Sequence, residues 1–148
     1  MPEKKTIERA RRDARRGKAP STQAGEFVRE EIHHVREGKH GARSTRQAIA
    51  IGLSKARRAG VPLPPPKSGR ARTRKQAARD VRKGQHRTAK PSARRSRAVL
   101  LALKRERHGA ASHRALARQA KQSARRRSRA DRKRAAQRAA RTRRSHRE

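Results

Sequence analysis

Two groups of residues in this chain have side chains that could do chemistry. The first is His33, His34 and His40 beside Glu30, Glu31 and Glu37. Imidazoles and carboxylates in such proximity are metal-ligand types, and Glu30 and His34 share a helix face at i,i+4. Nothing fixes a four-ligand spacing, and the expected state is surface histidines beside carboxylates, with no metal and no cofactor. The second group is the arginines and lysines, 47 in 148 residues against 11 acids, for a net charge of +36. Guanidinium groups at this density bind phosphates, each contact releasing counterions from a nucleic acid. No Ser/His/Asp set, paired carboxylates, phosphate loop or G-x-G-x-x-G is present, so no enzyme activity is expected. The absence of cysteine excludes disulfides, thiol catalysis and Cys-containing zinc sites.

The elements that must position these residues are short. Of the apolar residues, 27 are alanine and 17 are larger. Ordering a residue costs roughly 1.5 kcal/mol, and a buried aliphatic side chain returns about 1.5–3 kcal/mol. Seventeen such side chains are too few to order the whole chain as one packed core. No apolar run approaches membrane-spanning length, and the N-terminus lacks a signal-type apolar segment. A soluble, cytoplasmic, nucleoid-associated protein is the expectation.

Five segments follow from composition: a basic arm with a short helix (1–20), a helical hairpin (21–60), a Pro-rich linker (61–70), a degenerate second hairpin (71–109) and an Arg/Ala-rich tail (110–148). The arm helix runs from Thr6 to Arg16, with a thin apolar face of Ile7, Ala10 and Ala14. Ser21 or Thr22 can cap the next helix, which ends near Arg36 and places Ala24, Phe27, Val28, Ile32 and Val35 on one side. Ser44-Thr45-Arg46-Gln47 matches a capping box, and Gly60 follows the basic last turn of the helix it opens. Ile49, Leu53 and Ala56 should face the first helix of the hairpin, with Ile51 seeking a second partner. Val61 to Pro66 should run as stiff polyproline.

Beyond the linker the chain repeats itself loosely. Val35-Arg36-Glu37-Gly38-Lys39-His40 matches Val81-Arg82-Lys83-Gly84-Gln85-His86, and Ala48 to Leu53 matches Ala98 to Leu103. The alternative is chance similarity in an Arg/Ala background. A duplicate would bring Val99, Leu100, Leu101 and Leu103 against the first hairpin, or leave an apolar face for self-association. Its first helix is too polar to predict firmly, whereas a helix over 93–107, after Pro91-Ser92, is well supported. From Ser112 on, no Pro or Gly interrupts an Ala/Arg run with Leu116 as its only large apolar residue. Like charges at i,i+4 oppose that helix until phosphates neutralise them, so it should be disordered or frayed when free and helical when bound. The fold class is therefore mostly α, a helical hairpin with a degenerate repeat and long basic extensions.

Ala42 to Gly60 resembles the signature of a family of small basic bacterial proteins in which Ser-x-Lys/Arg-Gln-Ala-Ile-Ala-Ile-Ala-Leu-Ser-x-Ala-Arg follows a short basic segment. Ser44, Arg46, Gln47, Ala48 to Ile51, Leu53, Ser54, Ala56 and Arg57 match, and Gly52 stands where alanine is usual. The resemblance implies a bacterial source and a general DNA-binding role, without an established activity. The remainder is similar in composition to bacterial histone H1-like tails.

The expected function is largely sequence-independent DNA binding of nucleoid-associated, histone-like type. Binding to RNA or ribosomes is the alternative, and a protein-interaction module tethered by its basic tail is another. The residues expected at nucleic acid are Arg43, Arg46, Lys55, Arg57 and Arg58 on the hairpin. Arg70 follows at the end of the linker, with Arg72, Arg74, Lys75, Arg94, Arg95 and Arg97 in the second hairpin. In the tail they are Arg125, Arg126, Arg127, Arg129, Arg132, Lys133, Arg134, Arg141, Arg143 and Arg144. Sequence-specific readout is not expected, because Ser44–Arg58 offers little but Arg46 and Gln47 to bases. Stacking on single strands is disfavoured by the lack of Tyr and Trp and by Phe27, which reads as core.

Overall fold

The computed structural model describes residues 2–86 and 92–144. Pro91 and the last residues of the tail run therefore lie outside the described residues. Every regular element among those described is helical: α1 (Lys4–Arg15), α2 (Pro20–Arg36), α3 (Thr45–Arg58), α4 (Ala71–Gln85), α5 (Ala93–Lys104), a 3₁₀ turn (His108–Ala111), α6 (His113–Arg125) and α7 (Arg129–Arg144). By contact the chain divides into two compact units, 1–112 and 113–148.

In the first unit α2 is central, with α1 and α3 packed on it and α4 packed on α3. Phe27 and Val35 are fully buried on α2, and Phe27 clusters with Ala10, Ala24, Ala56 and Val61, with Ile7, Leu53 and Leu63 against them. Phe27 is thus core, as its place in the helix pattern predicts. The Pro-rich segment has no regular structure, and it carries Val61 and Leu63 onto this cluster. Leu63 N donates to Val61 O at 2.7 Å, so the segment turns locally at its start.

Helix starts and stops follow the expected chemistry with two differences. Pro20 occupies the first turn of α2, preceded by Ala19, so the helix starts on proline before either Ser21 or Thr22. The fixed φ of proline suits that position, where its missing N–H costs nothing. At α3, Ser44 Oγ accepts from Gln47 N at 3.2 Å as a cap should. The Gln47 side chain accepts from Arg43 N at 2.7 Å, one residue earlier than a capping box requires. Gly17, Gly38 and Gly60 follow α1, α2 and α3 with φ of 67°, 74° and 89°, the left-handed conformation that ends helices.

The face that α3 turns to α2 agrees with the expected one at Ala56, which is buried, and at Leu53, which packs on the Phe27 cluster, and differs from it in being made chiefly of small residues. Thr45, Ala48, Gly52 and Ala56 are buried, while Ile49, Ile51 and Leu53 are half-buried. A Cβ on Gly52 would lie 2.7 Å from Val28 Cα and 2.9 Å from Val28 N. Small residues let the two backbones touch, and close approach replaced the larger side chains as the basis of packing.

Asp80 joins α4 to α3. It is buried, and it accepts from Ser54 Oγ (2.7 Å), Arg58 Nε (2.8 Å) and Gln76 Nε2 (3.1 Å). Removing it deprives three donors of one charged acceptor, two of them on a different helix. Asp80→Ala is expected to destabilise the first unit by about 3 kcal/mol, since Arg58 is half-exposed and can recover water. A urea unfolding midpoint unchanged from the wild type would contradict this, with Asp131→Ala as the surface control.

The repeat does not produce a second packed hairpin. α4 packs on α3, and no residue of α5 is buried. Val99, Leu100 and Leu101 are 54%, 43% and 58% exposed, so they do not cover the first hairpin as expected. What docks there is the last turn of α5 and the segment after it, held through the backbone. Leu103 O accepts from Gly41 N (2.9 Å) and Arg107 O from Ala42 N (3.1 Å). Ala110 O accepts from Thr45 Oγ1 (2.6 Å) and Ala111 O from Arg36 Nε (2.8 Å).

The second unit has little to bury. None of the residues of α6 or α7 is buried. The expected single run is interrupted at Arg126–Ser128, where Ser128 caps α7: its Oγ accepts from Asp131 N (3.1 Å) and donates to Asp131 Oδ2 (2.7 Å). Arg134 and Ser128 together hold the Asp131 carboxyl below the ordinary aspartate range.

Candidate nucleic-acid interface

The hairpin cations differ in their surroundings. Lys55 points inward: its Nζ lies 2.6 Å from Glu31 Oε2 and 3.4 Å from Glu30 Oε1. Arg57 donates to Leu63 O (3.3 Å) and Pro64 O (3.4 Å), pinning the Pro-rich segment, and burial lowers its guanidinium pKa despite the nearby Asp80. Arg58 holds Asp80. These three therefore have intrachain partners. Arg43 and Arg46 are exposed at the N-terminal end of α3.

On α4 the expected residues come together. Arg70, Arg72, Arg74 and Lys75 are all exposed, and Arg72, Lys75, Gln76 and Arg79 line a shallow cleft with Ala71. Arg79 was not among the expected residues, although its i+4 spacing from Lys75 marks the same face. On α5, Arg94, Arg95 and Arg97 are exposed. Both helices begin with cations and have no acid in the first turn. Positive charge at a helix N-terminus is unfavourable by about 0.3–1 kcal/mol, and an anion placed there reverses the sign.

In the second unit Arg125, Arg126, Arg127, Arg129, Arg132, Lys133, Arg134, Arg141, Arg143 and Arg144 are all exposed. So are Arg114, Arg118, Lys121 and Arg138, which the same composition argument covers. Asp131 is the only acid among the described residues of this unit, and it pairs with Arg134 at 2.7 Å. With no buried face to maintain, α6 and α7 are arrays of positive charge along alanine-rich helices.

The His/Glu group lies elsewhere, on α2 and the turn after it. His34 Nε2 is 2.9 Å from Glu3 Oε1, so its partner lies on the N-terminal arm although Glu30 shares its helix face. His34 and Lys39 hold the Glu3 carboxyl below its ordinary pKa, and the Glu37 hydrogen bond raises that of Lys39. His40 was expected at the surface, but it is buried, and its Nε2 lies 3.2 Å from Oε1 of Glu31, which is buried on the apolar side of α2. The turn around Gly38 folds His40 back over α2, a reversal that helix periodicity does not reveal.

Residues 3–68 match the model of a family described as a family of unknown function (DUF6496). The match covers α1 to α3 and most of the Pro-rich segment, which form the core and the His/Glu group. α4 to α7 lie beyond it. No curated protein and no solved structure matches the chain.

Proposed function

We propose that this is a non-enzymatic protein that binds double-stranded DNA with little sequence preference, in the manner of nucleoid-associated, histone-like proteins. The observation that carries this reading is the second unit, where every described Lys and Arg is exposed and a single described acid opposes them. A surface of that kind is unfavourable alone and is neutralised by a polyanion. The cationic first turns of α4 and α5 support the same partner. The only aromatic ring of Phe, Tyr or Trp type, Phe27, is buried, so stacking on unpaired bases has no platform. Phosphate contacts without base-reading side chains give affinity without sequence information. The α1–α3 core is the packed part of the first unit, and α4 to α7 carry the unopposed charge.

Binding to unrelated duplexes should be of similar strength and steeply salt-dependent. Engagement of a third of the 31 basic residues in 64–148 gives a slope of log K against log salt of about −9. Fluorescence anisotropy over a salt series measures it. A slope near zero, or co-sedimentation with ribosomes after DNase treatment, would overturn the reading, the latter in favour of RNA.

A further inference from the structure

We infer that Glu31, His34 and His40 form a binding site for a divalent transition-metal ion of the zinc class, fixing the turn between α2 and α3. One ligand atom from each residue lies within 4.8 Å of the other two. A tetrahedral zinc ion with bonds of about 2.0–2.2 Å sets its ligand atoms about 3.3–3.5 Å apart. His40 Nε2 and Glu31 Oε1 are already 3.2 Å apart.

The protonation pattern is what points to a cation. His40 Nδ1 is 3.0 Å from Gly41 O. A carbonyl only accepts, so Nδ1 carries the hydrogen and a neutral ring presents its Nε2 lone pair. That lone pair faces a buried carboxylate oxygen, and neither Glu31 oxygen receives a well-directed hydrogen bond. Two acceptors so close need a positive centre between them, either a second proton on His40 or a metal ion. A backbone carbonyl on the far nitrogen is the usual outer partner of a metal-bound histidine. His34 has such a partner as well, the Glu3 carboxylate at 2.9 Å.

Lys55 is the competing cation. It stands 2.6 Å from Glu31 Oε2, which leaves Oε1 directed at His40. The local balance still favours a further positive charge: the carboxylates of Glu3, Glu30, Glu31 and Glu37 outnumber the ammonium groups of Lys39 and Lys55 that pair with them. Glu3 and His34 line an open cleft, which puts the His34 edge of the site at the surface, while Glu31 and His40 are buried beneath. Two imidazoles and one carboxylate suit zinc, and hard cations such as Mg²⁺ prefer an all-oxygen shell.

Calorimetric titration of the full chain with Zn²⁺ alone tests the site. One ion per chain is expected, with affinity falling at least about tenfold in His34→Ala and in His40→Ala. His33→Ala and His113→Ala should bind as the wild type does. Zn²⁺ should raise the melting temperature of the wild type relative to EDTA and leave that of His34→Ala unmoved. Circular dichroism on His34→Ala, whose side chain is at the rim, separates loss of the site from loss of the fold. Absence of uptake by the wild type, or uptake that survives both substitutions, would overturn the proposal and leave Glu31 and His40 as a buried polar pair.

Discussion

Gly52→Leu is expected to destabilise the first unit by about 3 kcal/mol or more, and Gly52→Ala by about 1–2 kcal/mol. Two effects compete at this position. Glycine inside a helix is worse than alanine by about 0.8–1.0 kcal/mol, so an unconstrained replacement would stabilise α3. Here a Cβ would meet Val28 Cα at 2.7 Å, Val28 N at 2.9 Å and Phe27 O at 3.0 Å, all backbone atoms. Backbone cannot rotate away as a side-chain end can. The two helices must separate instead, and the contacts of Ala48 and Ala56 loosen with them. The steric term therefore wins over propensity. Thermal unfolding of the full chain checks this, and an alanine variant as stable as the wild type would show that α2 and α3 part at little cost. Gly17→Ala provides a contrast, because nothing lies within 4 Å of its Cβ and only its positive φ is strained.

Truncation after Ser112 is expected to weaken binding to duplex DNA by about four to five orders of magnitude at about 0.1 M salt. The deleted residues carry 15 of the 47 Lys and Arg and two of the 11 acids. If a third of those cations sit on phosphates, the salt slope falls by about 4.5, which corresponds to a loss of that size. The remaining chain keeps the core helices, since 1–112 is a compact unit. Its unfolding transition should therefore persist while binding collapses. Equal salt slopes for the two proteins would place the interface on α4 and α5 alone.

Much of the first unit could be read from residue types. Ser44, Gly38 and Gly60 mark the ends of α2 and α3 because caps and left-handed glycines leave local signals. The face of α3 was read only in part, Leu53 and Ala56 being placed rightly, and the rest was missed for a physical reason. Ile49 and Leu53 are the larger side chains, but Ala48, Gly52 and Ala56 permit close backbone contact, and a hydrophobic pattern weights size. Asp80 in a basic run reads as a remnant of a repeat until α3 is seen beside it. The docking of residues 103–111 had no signal, because its hydrogen bonds are accepted by main-chain carbonyls, which every residue has. The candidate interface was legible where charge is unopposed, in α4 to α7. It was not legible at Lys55, Arg57 and Arg58, because only the fold brings Glu31, Pro64 and Asp80 to them.

The attachment of residue 103 to Gly41, together with the packing of Gly84 on the backbone of Arg57, has a consequence for how the chain tolerates change. The stretch between these anchors closes a loop in the polymer sense, with one end held on α3 and the other on the turn between α2 and α3. Doubling the length of such a loop costs only about 0.6 kcal/mol in closure entropy. Arg94, Arg95 and Arg97 lie within it, so insertions can alter the reach and charge of this arm while α1 to α4 keep their packing.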